Sequence, residues 1–226
     1  MDDEPLYLPD VVPVFPLPEV VLFPGTLLPL HIFEPRYLQL VADVLAGESI
    51  LGVALLKPGF EPLYYTQRAP IHTTIGLGRI VESEKTPESD YNILVRGVGR
   101  AAIVEEVRDQ PYRQARVDLI ETSGDDAEEQ VAELRRRLFS AIRGNPGLDS
   151  GLRRHWLRLR RSDIKLDQLA DLLAAGLPAE AELRQCLLNE PDAGRRTALL
   201  LNQVRTLEAL ARARRRVVPL DGCNPN

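Results

Sequence analysis

The chain has 226 residues, of which 44% are hydrophobic and 27% are charged, and its formal net charge is −5. These ordinary values exclude a largely disordered chain, and no apolar run approaches the ~18 residues of a membrane-spanning helix. The acidic start MDDEPLYLPD lacks the positive charge of a secretory signal, and the acidic balance disfavours nucleic acid as a partner. We therefore expect a cytoplasmic protein that does not associate with membranes.

The first predicted element is a proline-rich apolar stretch, VPVFPLPEVVLFPGTLLPLHIFEPRYLQLV, over residues 12–41. Each proline removes a backbone donor, so neither a helix nor a central strand can continue throughout it. We expect this stretch to run extended along the edge of a sheet. A short helix should follow from about Pro35 to Ala46 and end at Gly47, because proline suits a first helical turn and glycine suits a helix end.

Short strands are predicted for the rest of the chain up to about residue 122, where β-branched runs alternate with glycine and proline. Their close spacing favours a small barrel or a rolled sheet. The best strand candidates are residues 48–56, 71–82, 91–97, 101–107 and 114–121.

From residue 125 the apolar period becomes helical. We expect Ser162 and Asp163 to cap one helix, and a long last helix over residues 192–217. Strands followed by helices predict an α+β protein, with a β-rich part at 1–122, a helical part at 123–218 and a disordered tail at 219–226. The three apolar stripes are Val131, Leu134, Leu138 and Ile142; Leu166, Leu169, Leu173 and Leu177; and Leu200, Val204, Leu207 and Ala211.

A glycine motif invites a nucleotide-binding interpretation. Residues 97–102, GVGRAA, match a dinucleotide fingerprint, and Asp118 stands at a suitable distance. That fingerprint needs a helix, yet the following AAIVEEVRDQPYR is rich in β-branched residues and is stopped by Pro111. We favour a glycine turn between paired strands. The chain also contains no Gly-Lys pair, which excludes a P-loop.

Two other motifs have a chemical and a packing interpretation. His31 and Glu34 could form an acid–base or metal-binding pair, but a junction between a strand and a helix explains them equally simply, because a carboxylate is favoured at a helix start. Trp156 in RRHWLRLRR could stack on nucleic-acid bases, but a lone tryptophan on a helix is more often an anchor in the core. We favour the packing interpretation for both motifs.

Several motifs together resemble the N-terminal substrate-recognition (LON) domain of Lon proteases and small stand-alone LON-domain proteins. They are FPL at 15–17, FPG at 23–25 and LHIFEPRY at 30–37, followed by IGLGRI at 75–80 and ILVRGVGRAAI at 93–103. The segment LRQCLLNEPDAGRRTALLLNQV at 183–204 is similar to the helical part of that family. The resemblance covers nearly the whole chain.

The resemblance implies a PUA-like β pseudo-barrel with one short helix, followed by a helical bundle with a long last helix. It also implies a recognition domain without the ATPase and peptidase domains of Lon proteases, for which the sequence after this region leaves no room. We therefore expect a non-catalytic protein with no cofactor and no metal. Its expected role is substrate recognition, or adaptation to another machine, in protein quality control.

The expected ligands are unfolded or exposed hydrophobic polypeptide segments. Such binding needs apolar surface left open between barrel and helices, and a separate protease or chaperone and a homodimer are further candidate partners. Aromatic residues in loops and at helix starts provide good contact area, which makes Phe33, Tyr37, Phe60, Tyr64 and Tyr65 our candidate binding residues. Core packing is an equally good explanation for Phe33 and Tyr37.

The alternative function is RNA binding, since PUA-like folds serve that purpose in other proteins. The contact residues would then be Arg212, Arg214, Arg215 and Arg216, although positive charge also suits the end of a helix. A small hydrolase or a nucleotide-using enzyme is a third hypothesis.

Overall fold

The structure, a computed structural model, describes residues 7–124 and 127–216, apart from the side chains of Arg161, Arg215 and Arg216. The predicted disordered tail at 219–226 lies outside the described residues. Within the described residues, no helix is both long enough and apolar enough to span a membrane.

The described strands form one mixed sheet whose pairing closes into a ring. The strand order is β2-β5-β4-β3-β1-β6, and β6 also pairs with β5. Only β1 and β3 pair in parallel. The predicted α+β pseudo-barrel is therefore confirmed. Its strands are β1 (Val12–Leu17), β2 (Leu27–Ile32), β3 (Ile50–Leu55), β4 (Thr74–Lys85), β5 (Tyr91–Val107) and β6 (Arg113–Leu119).

The proline-rich opening differs partly from its predicted edge position. Strand β2 does lie at an edge, with β5 as its one neighbour. The edge prediction is wrong for β1, which lies between β3 and β6. β1 tolerates its prolines because it changes partner along its length: residues 12–14 pair with β6, and residues 14–17 pair with β3. Pro13 and Pro16 each face one neighbouring strand, so a missing N–H can point to the unpaired side.

The predicted glycine turn at residues 97–99 is also wrong. The two strands predicted at 91–97 and 101–107 are a single strand, β5, of 17 residues. Leu77 pairs with Gly99 while Gly78 pairs with Gly97, so Val98 is an extra residue in a β-bulge. No helix follows these glycines, which removes the structural requirement of a dinucleotide fingerprint.

The glycines of β4 and β5 lie directly beneath the Phe-Pro-Gly segment. A Cβ atom at Gly97 would overlap the carbonyl oxygen of Phe23, and a Cβ atom at Gly76 would overlap that of Leu22. Gly25 donates its N–H to the carbonyl of Gly97 at 2.8 Å. The chain between β1 and β2 thus crosses the sheet with backbone against backbone, which only residues without a side chain permit.

Helix α1 spans Pro35–Ala46 and ends at Gly47, as the sequence predicted. It buries one face against the sheet, where Leu40, Val41 and Val44 join a core cluster with residues of β1, β3, β4 and β5. A second cluster, built on Val12, Ile75 and other apolar residues, fills the remaining part of the ring.

Five further α-helices are described. They are α2 (Glu128–Arg143), α3 (Ser150–Arg158), α4 (Leu166–Ala175), α5 (Ala181–Asn189) and α6 (Ala193–Arg216). The three predicted stripes fall on α2, α4 and α6, apart from Leu177 just after α4. Trp156 is 1% exposed, which confirms it as a core anchor. The predicted cap at Ser162 and Asp163 is wrong, because Lys165 precedes α4 and the Ser162 hydroxyl donates to the carbonyl of Leu159 instead.

The described residues form two compact units. The β unit contains the chain up to Ser123 together with Ala179–Pro191, and the helical unit contains Gly124–Pro178 and the chain from Asp192 onward. Helix α5 therefore belongs to the β unit, where Gln185 donates to the carbonyl of Thr74 at 2.8 Å. Separate domains at 1–122 and 123–218 stay a prediction.

Candidate functional site

The loop between β3 and β4 carries three of the candidate aromatic residues and is tied together by its own hydrogen bonds. It contains a short 3₁₀ helix, Glu61–Leu63. The Tyr64 hydroxyl donates to the carbonyl of Lys57 at 2.9 Å, and the N–H of Gly59 donates to the Glu61 carboxylate at 2.9 Å. Hydrogen bonds from the backbone N–H groups of Glu61 and Gly59 hold the pKa of Glu61 below its ordinary value. These bonds give the loop a defined shape.

Arg36, in the first turn of α1, joins this loop to the start of the helix. Its guanidinium donates to the carbonyl of Tyr65 at 3.1 Å and to the Glu34 carboxylate at 3.1 Å. The same guanidinium lies 4.4 Å from the centre of the Tyr37 ring. The segment around Phe33 and the loop around Tyr65 are thereby held near one another.

Tyr37 lies in the core beneath this junction. Its ring packs 4.3 Å from the Phe15 ring, and its side chain is 6% exposed. Burial raises the pKa of Tyr37 to about 12, with a smaller contribution from Glu34. Tyr37 therefore supports the helix start from inside and offers little surface to a ligand.

The other apolar side chains at this junction are open to solvent. Phe33 is 62% exposed, Phe60 is 42% exposed and Tyr65 is 82% exposed. Leu63, on the 3₁₀ helix, is also exposed, although it is not among the residues predicted from the sequence. No local signal in the sequence distinguishes it from a buried leucine. We call Phe33, Phe60, Leu63 and Tyr65 the aromatic surface; Tyr64 is half-buried behind it.

His31 and Glu34 do not share a partner. The His31 imidazole contacts the Asn92 side-chain oxygen at 2.9 Å and the Asp90 carboxylate at 3.3 Å, whereas Glu34 pairs with Arg36. Across the described ranges, no group of three or more His, Cys, Asp or Glu side chains could hold a metal ion. The arrangement at residues 31–34 is that of a strand-to-helix junction.

The arginines proposed for RNA binding lie at the end of α6. Arg212 pairs with Glu208, and Arg214 is exposed. The side chains of Arg215 and Arg216 lie outside the described part of the structure. Two of these arginines are therefore described and exposed, and one of the two, Arg212, already pairs with a carboxylate.

Comparison with known proteins identifies the fold and its motifs. Residues 11–206 match the model of the ATP-dependent protease La (LON) substrate-binding domain. The chain belongs to this family. The Phe-Pro-Gly crossing and the glycines beneath it lie within the matched range of this LON domain.

The curated relatives are much longer than this LON chain. Lon protease 2 of Myxococcus xanthus is 30% identical over 198 residues, which cover 86% of this chain and 23% of the relative. Lon protease 2 of Sorangium cellulosum is also 30% identical, over 89% of this chain and 25% of the relative. This chain thus spans about a quarter of the curated relatives it matches.

Solved structures of isolated N-terminal domains match most of this LON chain. A Lon N-terminal domain protein from Xanthomonas campestris has a TM-score of 0.63 and 26% identity, covering 85% of this chain and 97% of that chain. The N-terminal domain of a Mycobacterium avium complex Lon protease has a TM-score of 0.64 and 17% identity, covering 86% and 98%. The second likeness shows the fold alone.

Proposed function

We propose that this LON chain binds unfolded polypeptide segments through the aromatic surface and performs no chemistry on them. The family match carries this proposal, because the matched model describes a substrate-binding domain. The aromatic surface supports it with apolar side chains that the fold leaves exposed beside a loop fixed by hydrogen bonds. A preorganised apolar contact loses less conformational entropy on binding than a mobile one. A separate protease or chaperone would act on the captured chain.

The first experiment measures binding of a fluorescently labelled protein that has been reduced and alkylated so that it cannot refold. Fluorescence anisotropy is followed while the chain is added. The double variant Phe60→Ala/Tyr65→Ala should weaken binding by about tenfold or more, because aromatic residues often dominate binding energy. Binding of the labelled protein in its native, disulfide-bonded form should be much weaker.

A matched control removes the same kind of surface elsewhere on the β unit. Val104 and Leu119 are exposed apolar residues of β5 and β6, so Val104→Ala/Leu119→Ala lowers the exposed apolar area without touching the aromatic surface. It should change affinity by less than about twofold. Equal losses in both double variants would contradict the proposed surface.

Two further arms separate the remaining hypotheses. Tyr64→Phe keeps the ring but removes the hydrogen bond to Lys57, so a modest loss of affinity would show that loop order contributes. A labelled RNA oligomer is titrated in parallel at two salt concentrations. Salt-sensitive binding of RNA with no binding of unfolded polypeptide would replace the proposal with the RNA-binding alternative.

A further inference from the structure

The helical unit carries a concentration of positive charge that the proposed function does not use. Residues 127–161 contain nine arginines against four acidic residues, a local net charge of +5 in a chain whose total is −5. Most of these arginines lie on α2 and α3 or immediately after α3. An excess of this size over one surface attracts anions.

The arginines line two adjoining hollows in the helical unit. The larger has a volume of about 910 Å³ and is lined by Arg143, Arg154, Arg158 and Arg160 with Gly151 and Leu157. The smaller has a volume of about 480 Å³, and Arg135, Arg136, Phe139, Arg143 and Arg160 are among its lining residues. Arg143 and Arg160 belong to both. We call the two together the arginine hollows.

Some of these guanidinium groups already have partners. Arg135 donates to the backbone carbonyl of Ser162 at 3.0 Å, and Arg136 pairs with Glu133 at 2.7 Å. Hydrogen bonds from Arg136 and Arg137 lower the pKa of Glu133 to about 2, so this carboxylate is ionised at neutral pH. These contacts hold the rim of the smaller hollow and neutralise part of its charge.

Three other guanidinium groups are not neutralised in this way. Among the described residues, no ion pair joins a carboxylate to Arg143, Arg154 or Arg160, and all three residues are exposed. Backbone hydrogen bonds lower the pKa of Asp149, and the charge of Arg154 contributes slightly to this lowering, so the neutralisation of Arg154 is partial. Like charges that converge on one hollow repel one another, and a bound anion would relieve that repulsion. The hollows are therefore suited to a ligand with several negative charges.

The aromatic residues of this region argue against nucleic acid as that ligand. Sequence-tolerant binding of single strands relies on exposed rings that stack on the bases. Trp156 is 1% exposed and Phe139 is 4% exposed, so both rings are buried. What the hollows expose is guanidinium groups beside an aliphatic side chain, Leu157. Guanidinium forks match the planar carboxylates of Asp and Glu, and their carbon stems can pack on a peptide.

We propose that the arginine hollows bind acidic segments of polypeptide, through Arg143, Arg154 and Arg160. This inference rests on the proposed function, because it takes the ligand to be a polypeptide, but it concerns a different surface. The aromatic surface would select apolar side chains, and the arginine hollows would select clustered carboxylates. The two surfaces would thus recognise different segments of a client.

The test uses a short labelled peptide of alternating glutamate and serine, which has no apolar side chain for the aromatic surface. Matched peptides of glutamine and serine, and of lysine and serine, control for charge. The full chain should bind the glutamate peptide, and affinity should fall steeply as salt is added because salt screens the ion pairs. The glutamine and lysine peptides should bind at least tenfold more weakly (about 1.4 kcal/mol or more).

Variants then locate the site. Arg143→Gln/Arg160→Gln removes one guanidinium pair shared by both hollows and should weaken glutamate-peptide binding by about tenfold, whereas Arg143→Lys/Arg160→Lys should retain part of the affinity. The matched control is Arg79→Gln/Arg96→Gln, which removes the same charge from exposed positions of β4 and β5. It should change affinity by less than about twofold. Arg154→Gln/Arg158→Gln is a second test of the larger hollow, with buried Trp156 as a fluorescent reporter of folding.

Several results would overturn the inference. One is an equal loss in the control variant, and another is unchanged binding in both hollow variants. Displacement of the peptide by inorganic tripolyphosphate or by an RNA oligomer at far lower concentration would assign the hollows to phosphate ligands. Binding of unfolded apolar protein without binding of the glutamate peptide would contradict this inference alone. Binding of the glutamate peptide without binding of unfolded apolar protein would contradict only the proposed function.

Discussion

The β unit and the helical unit achieve their closest packing by different means. In the β unit the chain around Phe23 crosses the sheet directly above Gly76 and Gly97, backbone against backbone. In the helical unit the stripes of α2, α4 and α6 meet through side chains, although Gly147 does lie against the backbone of Leu207. The comparison shows why the first part of the sequence is rich in recognisable motifs: a backbone crossing tolerates few residue types, whereas an apolar stripe tolerates many.

Each unit contains an ion pair, and these two pairs differ in burial. In the helical unit, Arg196 of α6 and Asp171 of α4 form an ion pair at 3.0 Å with both side chains almost fully buried. In the β unit, Arg113 pairs with Glu106 at 2.7 Å, but Glu106 remains partly exposed.

The unfolding of each unit can be followed with a different spectroscopic signal. All six tyrosines precede residue 113 and therefore lie in the β unit, whereas the single tryptophan, Trp156, lies in the helical unit.

The largest expected effect tests the buried ion pair. Arg196→Met leaves the Asp171 carboxylate buried without this guanidinium and should lower the free energy of unfolding by about 3–5 kcal/mol. Urea unfolding followed by tryptophan fluorescence measures this loss in the helical unit. The double variant Asp171→Leu/Arg196→Met should recover much of it, because no charge is then buried.

The control for that prediction is the exposed pair on α2. Arg136→Met removes an ion pair with Glu133 at the surface and should leave the urea midpoint unchanged, because exposed pairs contribute little. If Arg196→Met lowered the free energy of unfolding no more than Arg136→Met does, the buried pair would not stabilise the helical unit more than an exposed pair.

The next effect tests the crossing in the β unit. Gly97→Ala places a Cβ atom against the Phe23 carbonyl, so the crossing segment must move, and we expect a loss of about 3 kcal/mol. Tyrosine near-UV circular dichroism during urea unfolding reports on this unit. Gly47→Ala is the matched control, since its Cβ would make only an ordinary contact at 3.6 Å. A mild effect at both glycines would mean that the crossing is looser than its geometry indicates.

The smallest effect concerns alkaline pH. Burial raises the pKa of Tyr37 to about 12, and burial together with the hydrogen bond to Asp43 raises that of Tyr112. The folded state thus favours the neutral phenol. The contribution of the phenol to the free energy of unfolding is complete below the ordinary tyrosine pKa of about 10, and it is lost as the pH rises toward 12. We expect a decrease in stability of about 2 kcal/mol attributable to Tyr37 across that interval.

Tyr37→Phe isolates this contribution. The variant should resemble the natural chain at neutral pH and lose less stability above pH ~10, as measured by urea unfolding with far-UV circular dichroism. The helical unit contains no tyrosine, so the tryptophan transition should lack this alkaline decrease. An identical decrease in the variant and in the tryptophan transition would contradict the assignment to Tyr37.

The sequence predicted much of the fold because its local signals agree with the tertiary structure. Pro35 and Gly47 mark the ends of α1, and the stripe Leu166, Leu169 and Leu173 is buried on α4. It did not predict that α5 packs with the strands, since the apolar pattern of a helix shows that one face is buried but not against which element.

The candidate site was predicted in part for the same reason. The sequence indicated that aromatic residues are concentrated in a loop and at a helix start, but Tyr37 is buried while Phe33, four residues earlier, is exposed. Their exposure depends on where α1 lies against Phe15, which is a contact between distant segments. Leu63 was missed because nothing local distinguishes an exposed leucine in a loop from a buried one.

The sequence by itself determined the fold class, the family and the positions of most helices, because capping residues, glycines and apolar periods act over a few neighbouring residues. Only the tertiary structure decided that β1 is a strand of the ring, that residues 97–99 form a bulge, and that arginines from two helices share the same hollows. Those features depend on which distant segments meet, and a local pattern does not specify that choice.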